Sequence, residues 1–259
     1  MSHNKFNVDG SSAIITGASS GIGRRIAEGF ADQGVDTTIC SRKQSNVDPV
    51  AEEINDNDSD SIGHILPIEC DVRNRDSVDR MVERTVEKFG AIDILVNNAG
   101  AAFKCDFDGL SENGWKTIVD INLHGVFNCT HAAREALQDG GGSVVNISSI
   151  RSQEAAPHEI HYGAAKAGVN NFTRSLASEW AASGVRVNCV SPGFIATPGA
   201  VTAGDTDPAD IDRSNVNRKI GTTAEIADVV EFLASPAASF IDGEILTVRG
   251  VPPHSEDPN

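Results

Sequence analysis

The sequence predicts a single α/β domain whose parallel sheet is covered by helices on both faces. Short apolar segments alternate with longer segments of helical periodicity along most of the 259 residues, a pattern typical of parallel strands joined by helical crossovers. Most of the predicted strands are short and apolar, as expected of strands buried on both faces. No internal repeat and no linker divides the chain, so we assign residues 1–259 to one domain.

The individual elements follow from hydrophobic spacing and from the positions of glycine and proline. Strands are predicted at residues 12–16, 36–41, 62–68, 92–96, 143–147 and 185–190. Helices are predicted at 22–33, 47–54, 75–89, 115–137 and 161–182, where apolar residues recur every three or four positions. Pro192 and Gly193 end the last strand. Residues 198–219 are rich in Gly, Ala, Asp and Thr and lack periodicity, and we interpret them as a substrate lid.

Composition and charge exclude several classes of function. The chain has 37 acidic and 21 basic residues, a formal net charge of −16, and such a surface repels nucleic acid and anionic membranes. No run of 18 apolar residues occurs, and the N-terminal segment lacks the apolar core of a secretory signal. Five scattered cysteines indicate reduced thiols and no metal site. We therefore expect a cytoplasmic protein that acts on a small molecule.

The balance of charged residues also points to a type of organism. Lysines number seven against 14 arginines. Acid-rich, lysine-poor composition resembles that of cytosolic proteins from salt-accumulating halophiles, and an ordinary acidic enzyme is the alternative.

The segment TGASSGIG at residues 16–23 predicts a dinucleotide site. Glycines at 17, 21 and 23 follow a predicted strand and open a helix, so free N–H groups and the helix dipole can hold a pyrophosphate. The spacing differs from the more common G-x-G-x-x-G. Ser41 ends the second strand, and Arg42 follows it where NAD-binding sheets place an acid; an arginine there accommodates a 2′-phosphate. We therefore predict NADP as the cofactor, with NAD as the alternative.

The only tyrosine of the chain precedes a lysine by one helical turn. Tyr162 and Lys166 share a helix face because residues four apart lie together. A carbonyl that accepts hydride needs a proton donor, and a phenol can serve once a nearby ammonium lowers its pKa from ~10. Ser149, after the preceding strand, can polarise the substrate oxygen through a hydrogen bond. An ordinary contact on a helix surface is the alternative for the Tyr162–Lys166 pair.

Together these motifs resemble the short-chain dehydrogenase/reductases. The matching residues are collinear over nearly the whole chain: TGASSGIG at 16–23, Asp71-Val72, NNAG at 97–100, Asn122, Ser149, YGAAK at 162–166 and SPG at 191–193. The resemblance implies a Rossmann-type, doubly wound sheet of seven parallel strands, a nicotinamide cofactor and a homotetramer.

The resemblance also implies roles for individual residues. The catalytic residues would be Asn122, Ser149, Tyr162 and Lys166, with Asn122 holding a water that links Lys166 to solvent. The cofactor site would comprise Gly17, Ser19, Ser20, Gly21, Ile22, Gly23, Ser41, Arg42, Asp71, Val72, Asn98, Ala99, Gly100, Tyr162, Lys166, Pro192, Gly193, Ile195 and Thr197. The substrate would contact Ser149, Arg151, Tyr162 and Phe194. Arg151 could meet an anionic or carrier-bound substrate, and a salt bridge at the rim is the alternative.

Two further comparisons with the family pattern concern the substrate and the subunit assembly. The segment at residues 163–193 is also similar to enoyl- and dienoyl-CoA reductases, which commonly lack a tyrosine at the position of Tyr162, so its presence favours carbonyl–alcohol chemistry. The segment TVRGV at 247–251 departs from the usual V-D-G-G-like turn, which often contributes to subunit contacts. We predict an NADP-dependent ketoreductase of the 3-oxoacyl type. The alternatives are a sugar or polyol dehydrogenase and a non-enzymatic dinucleotide sensor.

Overall fold

The computed structural model describes residues 5–8, 11–56, 63–198, 208–215 and 217–251. The strands are β1 (Ser12–Thr16), β2 (Asp36–Ser41), β3 (Ile65–Glu69), β4 (Ile94–Asn97), β5 (Ser143–Ile147), β6 (Arg186–Pro192), β7 (Phe194–Ala196), β8 (Ile220–Thr222) and β9 (Ile245–Val248). Seven of them form one sheet in the order β3-β2-β1-β4-β5-β6-β9, and every neighbouring pair is parallel. The predicted fold class is therefore confirmed: a single Rossmann-like domain with seven parallel strands.

Helices cover both faces of this sheet. They are α1 (Gly21–Asp32), α2 (Asp48–Asn55), α3 (Arg75–Phe89), α4 (Glu112–Val119), α5 (Gly125–Gly140), α6 (Ile160–Trp180) and α7 (Thr223–Ala234). Consecutive residues of β1 reach opposite faces, because side chains alternate along a strand. Ile15 packs in a cluster with Phe30 of α1, whereas Ile14 packs in another with Met81 of α3 and Leu137 of α5. The two buried layers explain why most strand residues are apolar on both faces of the sheet.

The order of the strands positions the functional site. The chain runs from β1 outward to β2 and β3, then returns to β4 on the other side of β1. Ligands of doubly wound sheets bind beyond the carboxyl ends of the strands at such a switch point. The segments that follow β1, β4 and β5 all leave the sheet at this edge, and each carries predicted site residues.

The predicted strands and helices are present, with ends displaced by up to three residues, except at one helix. The helix predicted at 115–137 is divided by a π-helical segment, Asp120–His124, between α4 and α5. The sequence analysis assigned no element after residue 190, and so it missed β7, β8, α7 and β9. One signal was available for α7: Thr222 and Glu225 form a capping box at its start.

The lid interpretation of residues 198–219 stays a prediction, because residues 199–207 and 216 lie outside the described residues. What is described beside them is a two-stranded parallel ladder. β7 pairs with β8 through Phe194 and Ile220 and through Ala196 and Thr222. Among the described residues, no helix combines the length and apolarity that crossing a bilayer requires.

Candidate active site

The loop between β1 and α1 forms a cradle at the N-terminus of the helix. Gly17 and Gly21 have φ angles of 67° and 61°, in the left-handed region that glycine adopts readily. A Cβ on Gly17 would lie only 2.8 Å from the Cα atom of Ala99. Ser20 is the N-cap of α1, yet its side chain makes no capping hydrogen bond, and the first turn holds no acidic residue. The N-terminal N–H groups and positive dipole end of α1 therefore suit an anion.

The segment after β4 is bonded directly to this cradle. Asn98 donates from Nδ2 to the carbonyl oxygens of Thr16, at 2.9 Å, and Gly17, at 3.0 Å. In return, Thr16 Oγ1 accepts hydrogen bonds from the backbone N–H groups of Asn98 and Ala99, both at 3.0 Å. The Asn98 side chain thus supports the glycine loop, a contact that the sequence analysis did not predict.

The carboxyl ends of β2 and β3 carry the residues predicted for the adenosine side. Arg73 contacts both carboxylate oxygens of Asp71, with Nε–Oδ1 and Nη2–Oδ2 distances of 2.9 and 2.6 Å. This hydrogen bonding is the largest cause that lowers the pKa of Asp71, and the charge of Arg42 adds to it. Arg42 is exposed and has no ion-pair partner among the described residues, so its guanidinium is available to a ligand.

A cavity of about 440 Å³ lies beside the cradle. The predicted site residues that line it are Ser20, Gly21, Ile22, Asn98, Gly100, Ser149, Arg151, Tyr162, Lys166, Pro192, Gly193, Phe194, Ile195 and Thr197. The predicted residues outside its lining are Gly17, Ser19, Gly23, Ser41, Arg42, Asp71, Val72, Ala99 and Asn122. Its volume lies in the range of small-molecule sites.

Ser149 and Tyr162 meet in this cavity. Ser149 is the N-cap of a short 3₁₀ turn after β5, where its Oγ accepts a hydrogen bond from the backbone N–H of Arg151 at 3.2 Å. Tyr162 lies in the first turn of α6 and lines the same cavity, and the Ser149 hydroxyl is close enough to act on its pKa. Two hydroxyl groups thus converge on one space.

Lys166 lies one turn further along α6, but its ammonium points elsewhere. Its Nζ donates to the carbonyl oxygen of Ile147, the last residue of β5, at 2.7 Å, and lies 5.8 Å from the centroid of the Tyr162 ring. The residue is only 3% exposed, and burial lowers the pKa of Lys166 to about 8.

The expected direction of the Tyr162 pKa is therefore corrected. The sequence analysis expected Lys166 to lower this pKa, whereas burial raises the pKa of Tyr162 above its ordinary value. The Ser149 hydroxyl opposes that shift, the negative charge of Glu159 adds to it, and the charge of Arg151 again opposes it. The Lys166 ammonium is directed to a carbonyl group of β5 instead of the phenol, which explains why burial dominates.

Asn122 lies in the π-helical segment and is fully buried. Its Nδ2 donates to the carbonyl oxygens of Ala101 and Ile118, at 2.8 and 2.9 Å, and its Oδ1 accepts from the Ala101 N–H at 3.3 Å. The side chain is thus committed to holding the segment after β4. A Cβ on Gly100 would lie 2.9 Å from Asn122 Oδ1 and 3.7 Å from Lys166 Nζ, so the glycine keeps the space between them open.

One charged residue of the cavity, Glu159, was not predicted from the sequence. Glu159 lines this cavity, three residues before Tyr162, and its Oε2 lies 3.4 Å from Nε of Arg151. The Arg151 guanidinium also lies over the ring of Phe194, with Cζ 5.6 Å from the ring centroid. Glu159 is the N-cap residue of α6, so the position of its side chain could not be predicted from helical spacing. No group of three or more His, Cys, Asp or Glu that could hold a metal occurs in the part of the chain that the structure describes.

Comparisons with known proteins agree on the type of protein. A family described as Enoyl-(Acyl carrier protein) reductase matches residues 17–250. A crystal structure of a short-chain type dehydrogenase/reductase from Mycobacterium marinum superposes with a TM-score of 0.85 at 32% identity, over 95% of this chain and 96% of that one.

Three curated relatives differ in their named substrates. Cis-4-hydroxycyclohexanecarboxylate dehydrogenase of Sinomonas cyclohexanicum is 41% identical, over 92% of this chain and 94% of its own. Peroxisomal 2,4-dienoyl-CoA reductase of Danio rerio is 39% identical, over 92% and 80%. The 3-oxoacyl-[acyl-carrier-protein] reductase of Synechocystis sp. is 36% identical, over 92% and 95%. Alcohol oxidation, C=C reduction and ketone reduction are all named among these relatives.

Proposed function

Since this chain belongs to the short-chain dehydrogenase/reductase family, a family of oxidoreductases that act on CH–OH and carbonyl groups, we propose that it is an NADP-dependent ketoreductase of the 3-oxoacyl type. The observation that carries the proposal is the convergence of the Ser149 and Tyr162 hydroxyls in one cavity beside the glycine cradle. A non-enzymatic sensor would have no need for that convergence.

The residues present fit a dinucleotide. The uncapped N-terminus of α1 and the glycine cradle suit a pyrophosphate, and the exposed, unpaired Arg42 at the end of β2 suits a 2′-phosphate and favours NADP over NAD. When bound, the cofactor supplies hydride to a carbonyl carbon or removes it from a secondary alcohol. Pro192, Gly193, Ile195 and Thr197 line the same cavity as the start of α1 and the two hydroxyls.

The hydroxyl groups would divide the work on the substrate oxygen. Ser149 would hold and polarise that oxygen, and Tyr162 would donate a proton to it in reduction. Because burial raises the pKa of Tyr162, its hydroxyl is protonated at neutral pH, which suits the reductive direction. Lys166, with a pKa of about 8, can exchange a proton near neutral pH and would return it to Tyr162. Asn122 would hold a water through its main-chain carbonyl, because its side chain is already bonded.

The choice of a 3-oxoacyl substrate rests on the relatives at about one-third identity that are named for it. A second candidate is reduction of a C=C bond in an acyl thioester, which the 39% identity to a dienoyl-CoA reductase favours. The presence of Tyr162 and Ser149 in one cavity supports carbonyl chemistry instead, because two hydroxyl donors match an oxygen and not a carbon.

A substrate screen with a matched variant tests the proposal. Reduced-nicotinamide absorbance would be followed with 3-oxoacyl and enoyl thioesters, ketones, sugars and oxo acids, each with NADPH and NADH. We expect turnover of carbonyl substrates and a higher kcat/KM with NADPH. Tyr162→Phe should lower kcat by about 100- to 10,000-fold, the usual contribution of a positioned acid, and leave NADPH binding, followed by fluorescence, unchanged.

The screen also gives outcomes against the proposal. A Tyr162→Phe protein that keeps a tenth of the wild-type turnover would contradict the role of Tyr162. Turnover of enoyl thioesters alone would favour the second candidate.

The resemblance and the free cysteines support two further statements about the protein. We propose a homotetramer, for which light scattering should give four times the 27.3 kDa of the chain. All five cysteines are free thiols, and we propose the cytoplasm, a reducing compartment, as the location.

A further inference from the structure

Arg151 occupies an unusual position for a cation in this chain. It is two residues after Ser149 and lines the same cavity as Ser149 and Tyr162. The other side of its guanidinium is bounded by Phe194, whose ring centroid lies 5.6 Å from Cζ. The cation is therefore held in the wall of the cavity that the two hydroxyls also line.

The pairing of Arg151 is incomplete. Its one carboxylate contact is Nε to Glu159 Oε2 at 3.4 Å, longer than the 2.7–2.9 Å or so of a charge-assisted hydrogen bond. In the described part of the chain, no residue accepts a hydrogen bond from its two terminal nitrogens. By contrast, Arg73 and Arg75 contact carboxylates at 2.6 and 2.7 Å. Arg151 is nevertheless only 27% exposed, so water replaces the missing partners only in part.

We propose that Arg151 is the binding residue for a carboxylate carried by the substrate, and that Glu159 is its counter-ion when no carboxylate is bound. A planar guanidinium with two free terminal nitrogens matches a carboxylate through two parallel hydrogen bonds. The inference rests on the proposed function, because it places this carboxylate in the cavity where the carbonyl is reduced.

The position of Arg151 also limits where the carboxylate can be. Because Arg151 lines the same cavity as Ser149 and Tyr162, a carboxylate bound to it would belong to the same small molecule as the reacting carbonyl. In an acyl thioester the carboxyl group is uncharged. The inference therefore keeps the carbonyl reduction of the proposed function and replaces its carrier-bound 3-oxoacyl substrate by an oxo acid or hydroxy acid with a free carboxylate.

A matched pair of substrates tests the inference. The ketone 4-oxocyclohexanecarboxylate and its neutral carboxamide have nearly the same shape and differ in charge. We expect the wild-type enzyme to show a kcat/KM for the acid at least tenfold above that for the amide. Arg151→Gln should lower this ratio by about 10- to 100-fold, the range expected when a charged hydrogen-bond partner is lost. Arg151→Lys, which keeps the charge but not the planar fork, should give an intermediate ratio.

Controls separate the charge from damage to the fold. Arg134→Gln changes an arginine on α5 that pairs with Glu135 at the surface and should leave the ratio at the wild-type value. Thermal melting confirms that each variant is folded. Calorimetric binding of cyclohexanecarboxylate to the NADP-loaded enzyme should weaken in Arg151→Gln and not in Arg134→Gln.

The outcomes distinguish this inference from the proposed function. Equal kcat/KM for acid and amide in the wild type, or a ratio that Arg151→Gln leaves unchanged, would overturn the inference while carbonyl turnover upholds the function. Turnover of 3-oxoacyl thioesters with none of the oxo acid would have the same meaning. Failure to reduce any carbonyl compound would overturn both.

Discussion

Glu159 contributes to the charge of the cavity wall and also affects the pKa of Tyr162. It lies three residues before Tyr162 and against Arg151, and its negative charge raises the pKa of the phenol, whereas the charge of Arg151 lowers it. Burial remains the largest cause of the raised pKa. Glu159 and Arg151 thus shift the pKa of Tyr162, the proposed proton donor, and also line the proposed substrate cavity.

This connection predicts the pH dependence of alcohol oxidation. In the proposed mechanism, oxidation requires Tyr162 without its proton, so the rate should rise as pH passes upward through the pKa of Tyr162. Glu159→Gln removes a charge that raises this pKa and frees Arg151, which lowers it. Both effects act in one direction, and the profile should shift to lower pH. The measurement is kcat against pH for a neutral secondary alcohol, which avoids any effect of Arg151 on a charged substrate.

Glu154→Gln is the control for this experiment. Glu154 is a nearby carboxylate that pairs with Arg249 and does not affect the pKa of Tyr162. A shift of equal size in both variants, or a shift to higher pH in Glu159→Gln, would refute the electrostatic connection.

For individual residues, the sequence predicted which side chains meet in the cavity better than it predicted their pKa shifts. The sequence motifs led us to expect Ser149, Tyr162 and Lys166 together. Tyr162 and Lys166 are four residues apart on a helix, and such residues share a face. The direction of the Tyr162 pKa could not be predicted, because it depends on burial and on where the Lys166 ammonium points. The Lys166 ammonium donates a hydrogen bond to the carbonyl oxygen of Ile147. This contact joins α6 to β5 and cannot be predicted from a local sequence pattern.

Among the elements, α7 shows how a local signal can be overlooked. Thr222 Oγ1 accepts from the Glu225 N–H at 3.4 Å, and Glu225 Oε2 accepts from the Thr222 N–H at 2.9 Å. The cap begins a helix whose Ile226, Val230 and Leu233 are fully buried in the core. Thr222 is both the last residue of β8 and the N-cap of α7, so the capping box holds the two elements together.

Thr222→Ala should destabilise the protein by about 1 kcal/mol, the usual effect of losing an N-cap side chain. In a domain of this size, that corresponds to a melting temperature lower by about 2–4 °C. Thr222→Ser keeps the hydroxyl and should melt close to the wild type. Equal melting temperatures for Thr222→Ala and the wild type would show that the capping bond contributes nothing.

The π-helical segment between α4 and α5 could not be predicted from hydrophobic periodicity. Apolar spacing predicted one helix at 115–137 and was nearly continuous through the segment. The insertion is determined by tertiary contacts, since buried Asn122 must turn its amide toward the backbone of Ala101. Such segments are frequent at functional sites, but a single sequence gives no spacing rule that would locate one.

For the whole molecule, the dominant property is negative charge. A net charge of −16 on a 259-residue chain destabilises the compact state through self-repulsion. Ion pairs such as Arg24–Glu28 and Lys116–Asp120 are partly exposed, where pairs contribute little. Dissolved salt screens the repulsion, with a Debye length of about 10 Å at 0.1 M.

We therefore predict that the melting temperature rises between about 0.05 M and molar KCl, because screening removes repulsion at separations beyond the Debye length. Scanning calorimetry over a KCl series measures it, and sucrose at matched osmolality controls for non-ionic effects. This outcome would support the halophile hypothesis from the lysine-poor composition. A protein no less stable at low salt than in molar KCl would argue against it.

The fold class was predictable at this scale because alternation of strands and helices allows few arrangements. The strands β7 and β8 were not, since each has only three residues, too few to show a period.

The short ladder between β7 and β8 has a consequence for how such a protein can diversify. The ladder holds Ala196 beside Thr222, so the two ends of the stretch between them lie at neighbouring points of the framework. Ser149, Tyr162 and Lys166 all precede β7. This stretch can therefore change in length or composition, as an exchangeable cassette, without displacing the residues that we propose to handle the proton.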